Sequence, residues 1–502
     1  MFDQIHSQRK LPFSLLCFEK VSYDDFLGND LRGRIVLTNF RVFAKPVDEK
    51  SLFYNVPMRL IDYCSNPENC SLKIYCRHGF AFCLTFPTNS RASDAYRICT
   101  EILTHDTTRF KIEYTMVSVP NQNTIALCDY KRLGLTSGSF QVTTVNKGRR
   151  LCETYPEYCS IPANIINTDL VRAAEFRANN RFVAIVYRHN PNGVCLARCA
   201  QPTIGIMCTR NIYDERILKA IGDSKNQQLS GNQSSCPLYI VDARDSTSAY
   251  LNRARGGGYE YEEYYVGSKI HFMHIPNIHY VRSALNTMRD VILDSNPSVS
   301  SVKEKFHSLD WSKYISIIIM SVGFVIDSIH NQGIPVLVHC SDGWDRTPQI
   351  VSLSKLCLDP YYRTIKGFCV LVETEWIAFG HQFSLRCNSE KDCKERSPVF
   401  LQFLDCVYQL LQLYPTFFEF NQNLLCKIGL HCYLNFFENF SNSPSQLSDL
   451  LLNNEDICCS VSSDLVELRF AERRQSIWSF ILGNISFKNP CYNCNQTNYQ
   501  VR

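Results

Sequence analysis

The sequence predicts two domains, a small β-barrel closed by a helix and then an α/β domain with a mixed central sheet flanked by helices. Three observations predict this order. The chain has 502 residues, more than one ordinary hydrophobic core organises. Up to about residue 118, short β-branched and aromatic runs follow one another between Gly, Pro and Asn, the pattern of a strand-rich module. From about residue 125 apolar strand-like runs alternate with longer helical patterns, which is the order of an α/β domain. The expected boundaries are 1–118 and 125–495.

In the first domain the strands are expected at Arg34–Ala44, Ser51–Val56, Leu72–Cys76 and Ala81–Phe86. Ser90 is placed to cap a helix running to about His105, with Ala95, Ile98 and Ile102 on one face. In the second domain Phe182–Tyr187, Leu238–Val241, Ile270–Ile275 and Val336–Val338 read as buried strands. Trp311–Asn331, Thr347–Leu358 and Pro398–Leu413 read as helices. Residues 227–235 and 441–455 are polar and read as a loop and a surface insertion. No internal repeat is found.

Composition bounds the function. Hydrophobic residues at 45% and charged residues at 20% are those of a globular protein and exclude a disordered or collagen-like chain. A net charge of +4 gives no argument for nucleic acid. The 25 cysteines are too dilute for an extracellular disulfide scaffold, so reduced, mostly buried thiols in a cytosolic chain are expected. Met1–Lys20 lacks the apolar stretch and small-residue cleavage site of a signal peptide. The most apolar run, Ile315–Ile329, contains Asp327 and is shorter than the roughly 20 apolar residues of a span, so it reads as a core helix. Cys491 and Cys494 form half a zinc site with no partner pair at suitable spacing.

The informative segment is Val336-Leu-Val-His-Cys-Ser-Asp-Gly-Trp-Asp-Arg-Thr-Pro-Gln-Ile350. It reads as strand, tight loop, helix, with Pro348 in the first helical turn, where a missing amide hydrogen costs nothing. Amide hydrogens of such a loop converge into a nest that binds anions, and the helix dipole adds to it. Gly343 lets the loop curl. Arg346 can clamp two phosphate oxygens. Cys340 would sit on the floor of the nest, where a positive field brings thiol pKa values down to about 3.5–7.5. A thiolate beneath a bound phosphate is placed for in-line attack on phosphorus. The alternative reading is a buried cysteine on a βα turn with an arginine in a surface ion pair.

His339-Cys-Ser-Asp-Gly-Trp-Asp-Arg-Thr347 resembles the phosphatase motif of the myotubularin family. Tyr361–Phe368, Glu375–His381, Arg396–Cys406, Gly256–Glu260, Phe418–Asn421 and Ser476–Ser479 resemble the family as well, and Leu31–Lys45 is similar to its N-terminal PH-GRAM module. The resemblance implies an α/β cysteine-phosphatase domain preceded by a PH-GRAM β-barrel. It also implies a lipid phosphatase that removes the 3-phosphate of phosphatidylinositol 3-phosphate through a cysteinyl-phosphate intermediate, with the 3,5-bisphosphate as a second candidate substrate.

The resemblance makes Cys340 the nucleophile. Arg346 and the loop from Ser341 through Asp342, Gly343, Trp344 and Asp345 become the phosphate cradle, and Thr347 a hydrogen-bond donor to the sulfur. The inositol hydroxyl leaves poorly, so a general acid worth about 10²–10⁴ in rate is needed. Trp311, Trp344, Trp376 and Trp478 all lack a following proline, so no Trp-Pro-Asp loop supplies it. The family favours Asp345, with Asp242 as the alternative acid. His339 reads as a structural residue holding the loop. The chemistry asks for no metal and no cofactor, because Arg346 and the amides supply the positive charge.

Outside the loop, Asn252, Asn277 and Ile278 match binding positions of the family. The family commonly has a basic residue where this chain has Gln382, whereas Arg386 is retained. An exposed Gln382 would weaken binding of a 5-phosphate, with Arg386 or Arg363 as candidate substitutes. The lipid substrate implies peripheral membrane contact, for which Lys147, Arg149 and Arg150 are candidates. The family further implies a cytoplasmic location on endosomal or other intracellular membranes, and other family members as partner subunits. The chain is expected to end before the family's C-terminal coiled coil. Inactive relatives that act as adaptors lack the cysteine or the arginine, and both are present here. A phosphotyrosine phosphatase, the other rival, needs a deep pocket rather than a wide positive one.

Overall fold

The computed structural model describes residues 16–24, 30–37, 41–46, 54–104, 120–224, 238–293, 309–387, 393–434, 437–440 and 476–493. The polar segments 227–235 and 441–455, and Cys494, lie outside them. The chain divides into two compact units. One comprises Met1–Ile112, Arg282–Ser312 and Cys387–Lys394, and the other Glu113–Val281, Lys313–Arg386 and Glu395–Arg502. Two segments between residues 125 and 495 therefore group with the N-terminal unit, a long-range association that no local pattern announces.

In the first unit the described strands form one antiparallel sheet. They are β1 (Leu16–Asp24), β2 (Asp30–Leu37), β3 (Arg41–Pro46), β4 (Tyr54–Pro57), β5 (Ile61–Cys64), β6 (Ser71–Cys76) and β7 (Ala81–Thr85), in the order β4-β3-β2-β1-β7-β6-β5. The run Arg34–Ala44, expected as one strand, is divided between β2 and β3, with Ile35 opposite Ala44 and Leu37 opposite Val42. Alternation along β6 buries Leu72, Ile74 and Cys76, as a strand with one inward face requires. Helix Asn89–Thr104 follows. Its first turn is served by Thr88 rather than Ser90, because the Thr88 hydroxyl accepts the Arg91 amide hydrogen (3.4 Å). The buried face carries Ala92, Ala95 and Cys99, while Ile98 and Ile102 are half-buried. Among the described residues no pairing joins β4 to β5.

The second unit holds a mixed sheet. Its strands are β8 (Phe140–Thr143), β9 (Cys159–Pro162), β10 (Ala184–Arg188), β11 (Cys195–Arg198), β12 (Leu238–Asp242), β13 (Ser268–Phe272) and β14 (Val336–His339), in the order β13-β12-β14-β11-β10-β9-β8. Strands β13, β12, β14 and β11 are parallel, and β10, β9 and β8 continue antiparallel. Every residue of β14 and β11 is buried, which is why these strands read as short unbroken apolar runs. The expected strand Ile270–Ile275 stops at Phe272, because His274 takes a left-handed backbone (φ 56°).

Helices Asp310–His330, Arg346–Leu358 and Val399–Leu413 stand where periodicity put them. Asp310–His330 is long and apolar enough to cross a membrane by length and composition. Here Ile318, Val325 and Ile329 of this helix are fully buried in the second unit, while Met320 is exposed. Helix Arg346–Leu358 is buried on all sides from Thr347 onward, so it has no single apolar face.

Candidate active site

Strand β14 lies between β12 and β11, and its register pairs His339 with Asp242 and Val338 with Arg198. The chain leaves the sheet at Cys340 and enters helix Arg346–Leu358 six residues later. The crevice beyond the carboxyl ends of parallel strands is where α/β sheets bind ligands. The loop curls because Gly343 has φ 76°, and a Cβ there would collide with the carbonyl oxygen of Cys199. From outside, Arg181 Nη2 (3.0 Å) and Arg198 Nη2 (2.8 Å) donate to the Gly343 carbonyl, turning that oxygen away from the nest. Gln201 N donates to Ser341 O at 3.0 Å. Arg198 is itself paired with buried Glu375.

The Cys340 sulfur is buried and accepts the Gly343 amide hydrogen at 3.3 Å. Burial pushes thiols up elsewhere in this chain, to about 11 at Cys195 and about 12 at Cys357. At Cys340 burial acts in the same direction, but the Arg346 guanidinium and the Thr347 hydroxyl and amide outweigh it, and the thiol is lowered. The Thr347 hydroxyl is buried and has no other partner among the described residues, so the sulfur is the acceptor open to it. Arg346 donates to Ile275 O and Ser341 Oγ, both at 3.3 Å. Among the described residues no carboxylate pairs with it, so its charge is available to an anion.

The two loop carboxylates have opposite surroundings. Asp345 is buried, which raises its proton affinity, but the Arg386 guanidinium overrides this and holds the carboxyl well below the usual range. The contacts are Arg386 Nε–Oδ1 at 3.1 Å and Nη2–Oδ2 at 2.8 Å, with His381 Nδ1 at 3.2 Å from Oδ1. His381 Nδ1–H also points at Trp344 O (2.8 Å). Asp342 is raised by burial and by the charge of Asp345, and accepts a hydrogen bond from Asn179 Nδ2 at 3.1 Å.

Asp242, the alternative acid, is wholly buried in a two-pronged pair with Arg244, at 2.9 and 2.7 Å. Both of its oxygens are thus engaged by one guanidinium.

His339 has its Nε2 2.9 Å from Glu260 and its Nδ1–H on Cys340 O at 3.1 Å. Burial alone would lower this imidazole, but Glu260 raises it. Glu260 in turn is paired with Arg177, which holds Asp214. This buried chain of charges holds the backbone at Cys340.

Asn252 reaches the loop, its Nδ2 donating to Ser341 Oγ at 3.4 Å. Asn277 caps the helix that starts at Ile278, its Oδ1 accepting from His279 N (2.9 Å) and Tyr280 N (3.4 Å). The Ile278 carbonyl accepts from Ser397. Gln382 is buried rather than exposed, with Nε2 on Gly380 O at 2.9 Å, and Arg386 serves Asp345 and Glu395. Arg363 is buried and donates to the carbonyls of Leu356 and Cys357, where helix Arg346–Leu358 ends, so it is no substitute for a basic residue at 382. Lys147 and Arg150 are exposed, while Arg149 turns to Gln122 and the Glu153 carbonyl. The roles of Arg181, Arg198, Glu260 and His381 escaped the sequence reading. Glu260 and His381 stood inside family-like segments, the only signal available for them.

The family profile described as the myotubularin-like phosphatase domain matches residues 106–446. Myotubularin of Xenopus tropicalis is 35% identical over 92% of this chain and 76% of its own length. Phosphatidylinositol-3,5-bisphosphate 3-phosphatase MTMR4 of Xenopus laevis is 31% identical over 96% of this chain and 48% of its own length. Human phosphatidylinositol-3,5-bisphosphate 3-phosphatase MTMR8 is 36% identical over 73% of this chain and 49% of its own length. The chain thus spans about half the length of these two phosphatases. The loop from Cys340 to Arg346 and this breadth of similarity lead to one statement of kinship: the chain belongs to the myotubularin-like phosphatase family.

Proposed function

We propose that this chain removes the 3-phosphate from phosphatidylinositol 3-phosphate. The observation that carries the reading is a buried sulfur whose thiol is lowered, facing a loop amide and an arginine that no described carboxylate neutralises. The Cys340 thiolate attacks phosphorus, the sulfur–phosphorus bond forms, and the bond from phosphorus to the inositol oxygen breaks. Arg346 and the loop amides hold the equatorial oxygens. Asp342 gives its proton to the departing oxygen. Water then cleaves the sulfur–phosphorus bond, its proton returns to Asp342, and inorganic phosphate leaves. Asn252, whose amide reaches Ser341, and the family-matched Asn277 and Ile278 are read as headgroup contacts.

The 3,5-bisphosphate is the second candidate substrate, supported by the activity for which two relatives are named. With Gln382 bonded to the backbone and Arg386 held by Asp345, a 5-phosphate finds less positive charge, so the monophosphate is the better substrate. We further read residues 1–118 as a PH-GRAM-like module, supported by a seven-stranded antiparallel sheet followed by a helix, and residues 125–495 as the phosphatase domain. A lipid substrate favours a cytoplasmic enzyme acting at endosomal or other intracellular membranes, with other family members as candidate subunits.

Phosphate release from soluble short-chain phosphatidylinositol 3-phosphate, set against a phosphotyrosyl peptide, tests the reading. Turnover of the lipid headgroup that disappears in Cys340→Ser with the fold intact supports it. Equal turnover by Cys340→Ser, or preference for the peptide, overturns it.

A further inference from the structure

Four large apolar side chains stand in water beside the phosphate loop. Ile206 and Met207 are 70% and 89% exposed, and Tyr250 and Leu251 are 57% and 63% exposed. Single exposed apolar residues are ordinary, whereas a contiguous group marks an interaction surface. These four come from two segments, the turn at residues 205–208 and the short helix Ser246–Leu251.

Arg253 fastens the two segments together. Its Nε donates to Gly205 O at 3.3 Å and its Nη2 to Ile206 O at 3.4 Å, and its guanidinium lies 5.2 Å from the centre of the Tyr250 ring. Gly205 N donates to Gly257 O at 2.9 Å. The helix runs directly into the turn Asn252–Arg255, and Asn252 touches Ser341, the residue after the nucleophile. The apolar group is therefore fixed at the rim of the site.

Its charge is positive. Arg255 is exposed, and among the described residues neither Arg253 nor Arg255 forms an ion pair with a carboxylate. Apolar tips framed by arginines suit the boundary between acyl chains and anionic headgroups. A soluble protein partner would answer the apolar residues but would need its own acidic groups at the same place. A bilayer holding an anionic inositol lipid supplies both, and also presents the substrate at the adjoining loop.

We propose that Ile206, Met207, Tyr250 and Leu251, with Arg253 and Arg255 beside them, form the membrane-docking surface of this chain. The proposal rests on the lipid-phosphatase reading above and specifies where the bilayer meets the protein. Docking here keeps the headgroup within reach of Cys340 while the acyl chains stay in the membrane.

The test compares the wild-type chain with the combined variant Ile206→Ser, Met207→Ser, Leu251→Ser. None of these residues belongs to the phosphate cradle, and all are exposed, so the fold is retained. Binding is read by cosedimentation with vesicles of phosphatidylcholine, phosphatidylserine and phosphatidylinositol 3-phosphate. Turnover is read both on those vesicles and on soluble dibutanoyl phosphatidylinositol 3-phosphate. The expected result is a loss of about tenfold or more in vesicle binding and vesicle turnover, with soluble turnover kept within about twofold. Arg255→Gln should weaken binding to these vesicles but not to neutral phosphatidylcholine alone. Unchanged vesicle binding by the triple variant overturns the surface, as does an equal loss on both substrates. A wild-type dimer that becomes a monomer in the variant would mean that a second copy of the chain is the occupant, and also overturns it. Absence of turnover on either substrate by the wild type would sink the lipid-phosphatase reading itself, while cosedimentation would still judge the surface.

Discussion

The Asp345 carboxylate and the Arg386 guanidinium meet along two parallel hydrogen bonds, at 3.1 and 2.8 Å. This pair divides the labour of the two loop aspartates. Paired carboxylates whose surroundings push their proton affinities apart mark the acid and the anion of a site. Asp345 is the anion, lowered by Arg386 and His381 against the effect of burial. On the proposed mechanism Asp342 is the acid, raised by burial and by the Asp345 charge.

A pH profile should show it. The nucleophile must be ionised, so the acid-side limb of the rate belongs to Cys340, whose thiol is lowered. The acid must be protonated, so the rate falls as pH rises through the raised value of Asp342. Asp342→Asn should lower the rate on the inositol lipid by about 10²–10⁴ and abolish the alkaline limb. An aryl phosphate, with a leaving group that needs no proton, should lose far less. Asp345→Asn should weaken phosphate binding but keep the alkaline limb. If the limb vanishes with Asp345→Asn and survives Asp342→Asn, the assignment is reversed.

Arg346 has two tasks that substitution can separate. Its charge lowers the Cys340 thiol, and its planar fork grips phosphate. Arg346→Ala should move the thiol upward, toward the behaviour of buried Cys195 at about 11. Arg346→Lys should recover much of the thiol shift but little of the turnover, with a loss of about 10²–10³ remaining. The pH dependence of iodoacetamide alkylation reads the thiol, and phosphate release reads the turnover. Identical thiol titration in wild type and Arg346→Ala would mean the loop amides act alone.

Much of this site was visible along the chain because its parts are local. Strand, glycine, arginine and helix entry fall between Val336 and Leu358, so their order in sequence is their order in space. Helix Asp310–His330 and strand β12 were legible for the same reason. What stayed hidden depends on residues far apart. Arg386 lies 41 positions from Asp345, and Arg198 and Arg181 lie 145 and 162 positions from Gly343. Nothing local distinguishes Arg181 and Arg198 from the many other arginines, Arg386 stood out by resemblance but its pairing with Asp345 did not, and the burial of Gln382 is likewise a property of the packed unit. The division of Arg34–Ala44 into β2 and β3 was missed because both halves are equally rich in strand-forming residues.

Gly343 is needed for space as well as for angle. With φ 76° and the Cys199 carbonyl oxygen where a Cβ would go, alanine both strains the backbone and pushes the loop off its wall. Gly343→Ala should cost about 1–3 kcal/mol of stability and raise the inhibition constant of vanadate or phosphate. Thermal unfolding and inhibitor titration check the two effects. Unaltered anion binding with lowered stability would show that the loop amides keep their convergence despite the shift.

Glu260 carries the buried charges behind Cys340. It sits between Arg177 and His339, and His339 holds the Cys340 carbonyl. Removing one partner of a buried ion pair leaves the other uncompensated, at a cost of about 3–5 kcal/mol, so Glu260→Gln should be strongly destabilising. The dependence on pH follows from the two directions of shift. His339 is raised above 6.5 by Glu260, so its contribution is complete below 6.5 and disappears as pH rises through the folded value. Glu260 is lowered from 4.5, against the effect of burial, by His339 and Arg177, so its contribution is complete above 4.5 and disappears as pH falls toward the folded value. The stability gap between wild type and Glu260→Gln should therefore be widest from about 4.5 to 6.5 and narrow on the alkaline side. Urea unfolding across a pH series measures the gap. A gap that stays constant through the titration of His339 would mean that Arg177, not the imidazolium, is the partner that matters, and that the backbone at Cys340 is held by packing alone.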